Sequence, residues 1–426
     1  MKPLSSSSNN YVSRDARQEQ AVQKWLDNRL KGTFEFPTGF GKSLVAFMCI
    51  KRFLNKNPTK QVLIIVPNDA LKEQWLDQLI DHNLLKNCSI QIINSAIKKP
   101  ISVDLLVLDE IHKYAADTFS LIFTQVKYKI ILGLTATLKR LDDKDSIIRE
   151  YCPVIDSISM VDAVNNGWLS GYVEYKVLIE TDLSVYETAN KEFSECFAFF
   201  NNEFELAMKC ASDYKFRNLV IKENTKNVKD IEQLRKIRQN ITFYAMRFRQ
   251  TLQIRKDFIN NHPKKVELAN LILSYRQNCK CITFSSTIKM AEQIKYGKVY
   301  SSKESTKKGR TTIEEYLSLP CGTLNTSKKL DEGFDCPDIS VAILLTQNSS
   351  FTQKQQRTGR AIRKHGDKKA EIFTFVIKGT VEEAWFEKST GDRGYLTISS
   401  NDLESLLKNE EVIPLKNKET KMTFRF

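Results

Sequence analysis

The chain has 426 residues, 41% of them hydrophobic, enough to bury two or three cores. Sixty-five Lys and Arg stand against 51 Asp and Glu, a formal net charge of +14 that suits a polyanionic partner such as nucleic acid, or a generally lysine-rich proteome. Met1 to Asn10 is polar and no apolar run is long enough to span a bilayer, so neither a signal peptide nor a membrane segment is expected. The nine Cys are scattered, and the close pair Cys279 and Cys281 sits at strand spacing. With only four His, this argues against a zinc site and fits reduced thiols in a cytoplasmic setting.

In chain order, the Ser-rich residues 1–13 read as a disordered tail. From about Arg14 to about Leu141, extended runs near Thr33, Gln61, Ser89, Val103 and Tyr128 alternate with helical patterns, as in a doubly wound sheet, and a first domain is assigned to 14–181. Residues 182–261 turn helical and heavily charged. Alternation resumes with apolar runs at Lys280 to Phe284, Ile339 to Leu345 and Glu371 to Ile377, so a second domain with a C-terminal extension is assigned to 262–426. The expected fold is α/β: two doubly wound parallel-sheet domains in tandem with a helical insertion between them.

The first chemical signal lies in TFEFPTGFGKSLVAFMCIKRFL, which reads as strand, loop and helix. In the loop Pro37, Thr38, Gly39, Phe40, Gly41, Lys42 and Ser43, the glycines let backbone N–H groups approach phosphate. Lys42 would reach the β- and γ-phosphates of ATP and the Ser43 hydroxyl would hold Mg²⁺. One departure stands out, since phosphate loops want Gly at their first position and Phe36 stands there. The second signal is VDLLVLDEIHKY, a buried-strand pattern ending in two acids. Asp109 would hold Mg²⁺ through water and Glu110 would orient or deprotonate the attacking water; a solvated acidic loop is the alternative. The third is QQRTGRAIR, where Arg360 and Arg363, three apart, share a helix face and could reach a γ-phosphate from another domain.

The ordered strings PTGFGKS, VPNDALKEQW, DEIH, GLTAT, FSST, DEGFDCPD and QQRTGRAIR resemble those of superfamily 2 helicases and translocases. The DEIH and GLTAT forms look closest to the DExH branch of XPB-like and phage UvsW-like DNA helicases. The resemblance implies two RecA-like domains with an ATP site between them, a helicase or translocase acting on DNA; the alternatives are a double-strand DNA translocase without processive unwinding, an RNA helicase, or a nucleic-acid-binding scaffold with an idle nucleotide site. It implies that Gln18 reads adenine, that His112, Thr135 and Thr137 couple nucleotide state to nucleic acid, that Gly333 and Asp335 approach the ribose, and that Gln356 joins Arg360 and Arg363 in the last motif. Pro67, Asn68, Gln74, Asn94, Ser95, Ser285 and Thr326 occupy motifs that contact strand phosphates in the family, although Asn68 and Ser95 would equally serve as helix caps. Leu138 stands where the family often has proline after TAT, and a changed local turn is expected.

The charged insertion has two readings. Basic residues including Arg247 and Arg249, interleaved with Phe243, Tyr244 and Phe248, suit nucleic-acid binding; the same pattern suits an amphipathic helical pair with an aromatic core. Our expectation combines them, with Phe243 packed inward and the two arginines facing DNA.

Overall fold

The computed structural model describes residues 12–138, 145–301, 306–327, 336, 339–347, 354, 357–359, 369–391, 393–410 and 416–418. The first sheet is made of β1 (Lys31–Glu35), β2 (Val62–Val66), β3 (Cys88–Ile92), β5 (Leu105–Leu108), β7 (Ile130–Thr135) and β8 (Val154–Ser157), with the two-residue strands β4 (Ile101–Ser102) and β6 (Val126–Lys127) paired beside it. Its order is β3-β2-β5-β7-β1-β8, parallel throughout. Two central strands, VLIIV in β2 and LLVL in β5, are buried at every position, because helices cover both faces of a parallel sheet. Helices α1 (Arg14–Asp27), α2 (Lys42–Lys56) and α3 (Asp69–Asp81) supply much of that cover. The N-termini of α1 and α3 are capped by Ser13 and Asn68, whose side-chain oxygens accept from Ala16 and Leu71 backbone N–H groups.

The second sheet has the order β11-β12-β10-β13-β14-β9-β15-β16. Its strands are β9 (Tyr172–Ile179), β10 (Lys280–Ser285), β11 (Lys298–Tyr300), β12 (Gly322–Ser327), β13 (Val341–Leu344), β14 (Ala370–Ile377), β15 (Tyr395–Ser399) and β16 (Lys416–Lys418). All pairings are parallel except the edge pair β15 and β16. The sequence boundary at 181 needs correcting: β9 lies before it, yet pairs along its whole length with β14 and also with β15, so the second sheet begins at Tyr172. The chain therefore enters the second domain, leaves it for the insertion, and returns. Hydrogen bonding to a strand 200 residues downstream leaves no mark in local sequence.

The insertion is helical as expected, over Ser184–Phe199, Phe204–Ser212, Tyr214–Thr225 and the 30-residue Ile231–Asn260. It has its own core of Cys196, Phe200, Ala207, Cys210, Ala211, Ala245 and Phe248. The expectation that Phe243 packs inward needs correcting. Phe248 is fully buried and stacks on Phe193 with ring centroids 5.0 Å apart, whereas Phe243 is 61% exposed. Along the long helix, Phe248 falls in line with Ile241 and Ala245 on the buried face, and Phe243 lies off that face. Between the two sheets a continuous apolar cluster runs from Phe34, Phe36 and Phe40 through Met160, Trp168 and Leu169 to Ile282, Phe284 and Leu344, so the domains share a core. No helix among the described residues is long and apolar enough to cross a membrane.

Candidate ATP site

The phosphate loop follows β1 and opens α2. Gly41 sits at the N-cap in a left-handed conformation, φ 103°, so α2 begins with no side chain satisfying its first N–H groups, and these remain available to an anion. Phe36, the departure from the usual glycine, is fully buried. It stacks on Phe34 at 5.2 Å and meets Phe40 edge-on at 5.1 Å, and Phe40 packs on Trp168 at 5.5 Å. The loop is thus anchored by aromatic side chains packed in the core. Gln18 and Arg14 of α1 hold it from behind, with Gln18 Nε2 and Arg14 Nε donating to Phe40 O at 2.8 and 3.0 Å. Gln18 lies directly on Gly41, where a Cβ would come within 2.6 Å of its Nε2. Lys42 Nζ lies 3.3 Å from Phe36 O. Pro37 is buried, and Thr38, Gly39 and Ser43 are half-buried at the loop's rim.

The acidic pair enters at the C-terminal end of β5, one strand away from β7 and two from β1. Asp109 is 5% exposed, and its oxygens accept from Trp75 Nε1 at 2.8 Å and from Glu110 N at 3.0 Å. Burial, and then the neighbouring Glu110 carboxylate, push Asp109 up to about 6. Burial also opposes ionisation of Glu110, but His112, Lys42 and Lys113 outweigh it and hold that carboxyl below its ordinary value. Glu110 has φ 49° and ψ 50°, a left-handed conformation that a non-glycine residue adopts only at a cost, and such strain concentrates at functional positions. His112 Nδ1 lies 3.4 Å from Glu110 Oε2 and 3.0 Å from Thr135 Oγ1. Thr135 Oγ1 donates to Thr137 O at 2.7 Å and accepts from Thr137 N, so the acidic pair, His112 and the two threonines form one connected run. Beyond it, Leu138 explains its own presence. Its side chain is fully buried and its backbone N–H donates to Glu35 Oε1 at 2.8 Å, a bond proline has no hydrogen to make.

One buried oxygen at this site lacks a hydrogen-bond partner, Thr38 Oγ1, and Glu110 Oε2 has only His112 Nδ1, at 3.4 Å. An unpartnered hydroxyl, a pair of carboxyls and an open helix N-terminus are the donors and acceptors that a polyphosphate and its divalent cation require. The residues present therefore fit Mg²⁺ with ATP. The second domain reaches the same place. Gly359, inside QQRTGRAIR, lies so close to the phosphate loop that a Cβ on it would be 2.6 Å from Thr38 Cβ. Gln356, Arg360 and Arg363 of that string, and Gly333 and Asp335, lie outside the described residues.

The residues expected to touch nucleic acid divide. Asn68 caps α3 with Pro67 before it and Gln74 half-exposed within it, while Asn94 and Ser95 are exposed. Ser285 and Thr326 need correcting: both are buried, and their hydroxyls donate inward, from Ser285 to Thr287 O and Thr326 O and from Thr326 to Thr283 O. Burial between adjacent strand ends consumes their polarity. Arg249 is exposed; Arg247 is half-exposed and pairs with Glu192 at 2.5 Å. Sequence reading passed over Trp75, although VPNDALKEQW contains it, and also Arg14 and Glu35. Their roles come from partners 26 to 103 residues away, and only the tryptophan, an N–H donor on the buried face of an amphipathic helix, carried any local signal.

A phosphate loop, an acidic strand end and a second parallel-sheet domain abutting the loop define a two-domain nucleotide-driven core of the kind found in helicases. The chain belongs to the superfamily 2 helicases. Residues 12–103 and 88–140 match the family model described as the res subunit of type III restriction enzymes, and residues 263–365 match the helicase conserved C-terminal domain. Among curated relatives, the DNA 3'-5' translocase XPB2 of Sulfurisphaera tokodaii is 25% identical over 392 residues, which is 86% of this chain and 82% of the relative. In fold the chain is similar to the Pyrococcus furiosus Hef helicase domain, with TM-score 0.51, 17% identity, and coverage of 88% of this chain and 97% of that one. It is also similar to S. cerevisiae Dbp5 bound to RNA and ADP BeF3, with TM-score 0.58, 12% identity, and coverage of 92% and 91%. The chain is thus a helicase or translocase acting on nucleic acid.

Proposed function

We propose that the chain is a DExH-type motor that hydrolyses ATP between its two domains to move along DNA, separating or remodelling strands. The observation that supports this most is the meeting of Gly359 with Thr38, which brings residues 358 and 359 of the second domain's last motif to the phosphate loop of the first. Backbone N–H groups after Gly39 and Gly41 would hold the phosphates, and Lys42 would neutralise them. Ser43 and Asp109 would hold Mg²⁺, which supplies charge neutralisation on the transferring phosphoryl group. Glu110 carries the proton-accepting role. Held ionised by His112 and Lys42, it is suited to orient and deprotonate water, whereas its neighbour Asp109 is the weaker acid. Arg360 and Arg363 would add positive charge from the other domain as the γ-phosphoryl group departs. The run Glu110–His112–Thr135–Thr137 offers a path by which loss of that group changes hydrogen bonds behind the site. DNA is favoured over RNA by the 25% identity to a protein named as a DNA translocase across most of both chains. The test is ATP turnover by the full chain with single-stranded, duplex, forked and four-way-junction DNA and with RNA, together with strand displacement on the forks. DNA-stimulated turnover is expected, and stimulation by RNA alone would overturn the DNA assignment.

A further inference from the structure

Glu174, in β9, is 1% exposed, with Lys354 Nζ 2.7 Å and Arg393 Nη1 3.8 Å from its carboxylate oxygens. Both cations are themselves buried, so one carboxylate faces two positive charges in a place without solvent. Burial pushes Lys354 down to about 8, against the pull of Glu174. Lys354 Nζ also donates to Thr390 Oγ1 and lies 3.7 Å from the Phe386 ring centroid. Arg393 extends the group in the other direction. Its Nη1 donates to Thr358 Oγ1 at 3.0 Å and lies 4.0 Å from Met160 Sδ in the first domain, while Nε and Nη2 donate to Thr390 O and Ser389 O. Thr358 donates in turn to Lys354 O at 2.9 Å, and the next residue is the Gly359 that abuts Thr38. Three charges taken out of water seldom add net stability, and in some proteins such groups serve instead to specify one arrangement over its neighbours. The arrangement specified here is the approach of Thr358 and Gly359 to the phosphate loop.

We propose that Glu174, Lys354 and Arg393 form a buried brace that fixes the Thr358–Gly359 backbone against the phosphate loop, making Glu174 and Arg393 positioning residues for ATP hydrolysis. This rests on the motor reading above. Arg393 lies beyond residues 263–365, the span matched by the C-terminal helicase model, and Glu174 lies before it. The brace belongs to the sheet that carries the second half of the site, not to the nucleotide's own contacts, so its loss should change turnover without changing nucleotide affinity.

The test compares the full-length wild type with Thr358→Val, Arg393→Lys and the double variant. Thr358→Val keeps the side-chain shape and removes the hydroxyl, and Arg393→Lys keeps the charge and removes the fork. Displacements of about 1 Å cost on the order of 10²-fold in turnover, so kcat for DNA-stimulated hydrolysis should fall about tenfold to a hundredfold in each. KM for ATP and Kd for a fluorescent ADP analogue should stay near wild type even where the thermal midpoint falls because a buried donor is left unpaired, and the double variant should be no slower than Arg393→Lys alone, since both break the Arg393–Thr358 bond. Full turnover in a folded Thr358→Val and Arg393→Lys would overturn the brace, as would a loss that follows ADP affinity. A wild-type protein that binds ADP but hydrolyses no ATP would overturn the motor reading and the brace with it.

Discussion

At the scale of single residues, the acidic pair shows how identical chemistry is divided by environment. Glu110 is kept ionised by His112 and Lys42, so Glu110→Gln should still bind ATP yet hydrolyse it at least about a hundredfold more slowly, within the range that general-base catalysis contributes. Lys42→Ala should instead weaken nucleotide binding itself, which titration with a fluorescent ADP analogue separates from turnover. Asp109 makes a stability prediction. Its folded-state value is raised to about 6, so the neutral acid is the form that folding favours. That contribution is fully present below the unfolded-state value of about 3.9 and lost as pH rises through about 6. The nucleotide-free protein should therefore be stabilised by Asp109→Asn at pH 7.5, by about 1–3 kcal/mol, with the advantage shrinking towards pH 4. Denaturant unfolding at a series of pH values checks this; an advantage that grows on acidification would contradict the burial argument. The amide oxygen can keep accepting from Trp75, while the amide nitrogen would face the Glu110 N–H, so the gain read is the charge contribution less one hydrogen bond.

At the scale of elements, the insertion separates its packing face from its charged face. Phe248→Ala should destabilise the fold by about 3–5 kcal/mol, because a fully buried ring against Phe193 is truncated, while Phe243→Ala should cost less than about 1 kcal/mol. Between 214 and 260 the chain holds twelve Lys and Arg against four Asp and Glu, a surplus concentrated on two helices. Arg247→Ala with Arg249→Ala should weaken binding to branched or single-stranded DNA and leave the melting midpoint nearly unchanged, since the half-exposed Arg247–Glu192 pair contributes little to stability. Unchanged affinity in that variant would remove this face from the binding surface. The aromatic periodicity was legible enough to anticipate a helical pair, but not which ring turned inward. Phe243 and Phe248 are chemically identical, and only the position of Phe193, Phe197 and Phe204 on neighbouring helices distinguishes them.

At the scale of the whole molecule, two domains that share a core, with Gly359 of the second against Thr38 of the first, predict cooperative chemistry. Arg360→Ala should keep most of its ATP affinity and lose about 10³-fold of nucleic-acid-stimulated turnover, the size of effect an arginine supplied across a cleft has on phosphoryl transfer. Retained stimulated turnover in that variant would detach the second domain from the chemistry. The net charge of +14 predicts binding dominated by phosphate contacts, with affinity falling steeply as salt rises and differing little between unrelated sequences of the same shape. Salt-insensitive binding in an equilibrium titration would contradict it.

The amino-acid sequence by itself determined the parallel strands, the phosphate loop, the acidic strand end and the order of the motifs. Those depend on local quantities: unbroken apolar runs, glycines where the backbone must turn, charged side chains at fixed offsets. Tertiary structure alone decided that β9 joins the second sheet, that Phe36 and Leu138 stand where they do because both are core side chains, and that Ser285 and Thr326 spend their hydroxyls on neighbouring strands. It also decided that Glu174 meets Lys354 and that Arg393 meets Thr358. Each of these is a contact between residues far apart in the chain, and a side chain's spacing to its sequence neighbours carries no information about a partner that only folding brings within 4 Å.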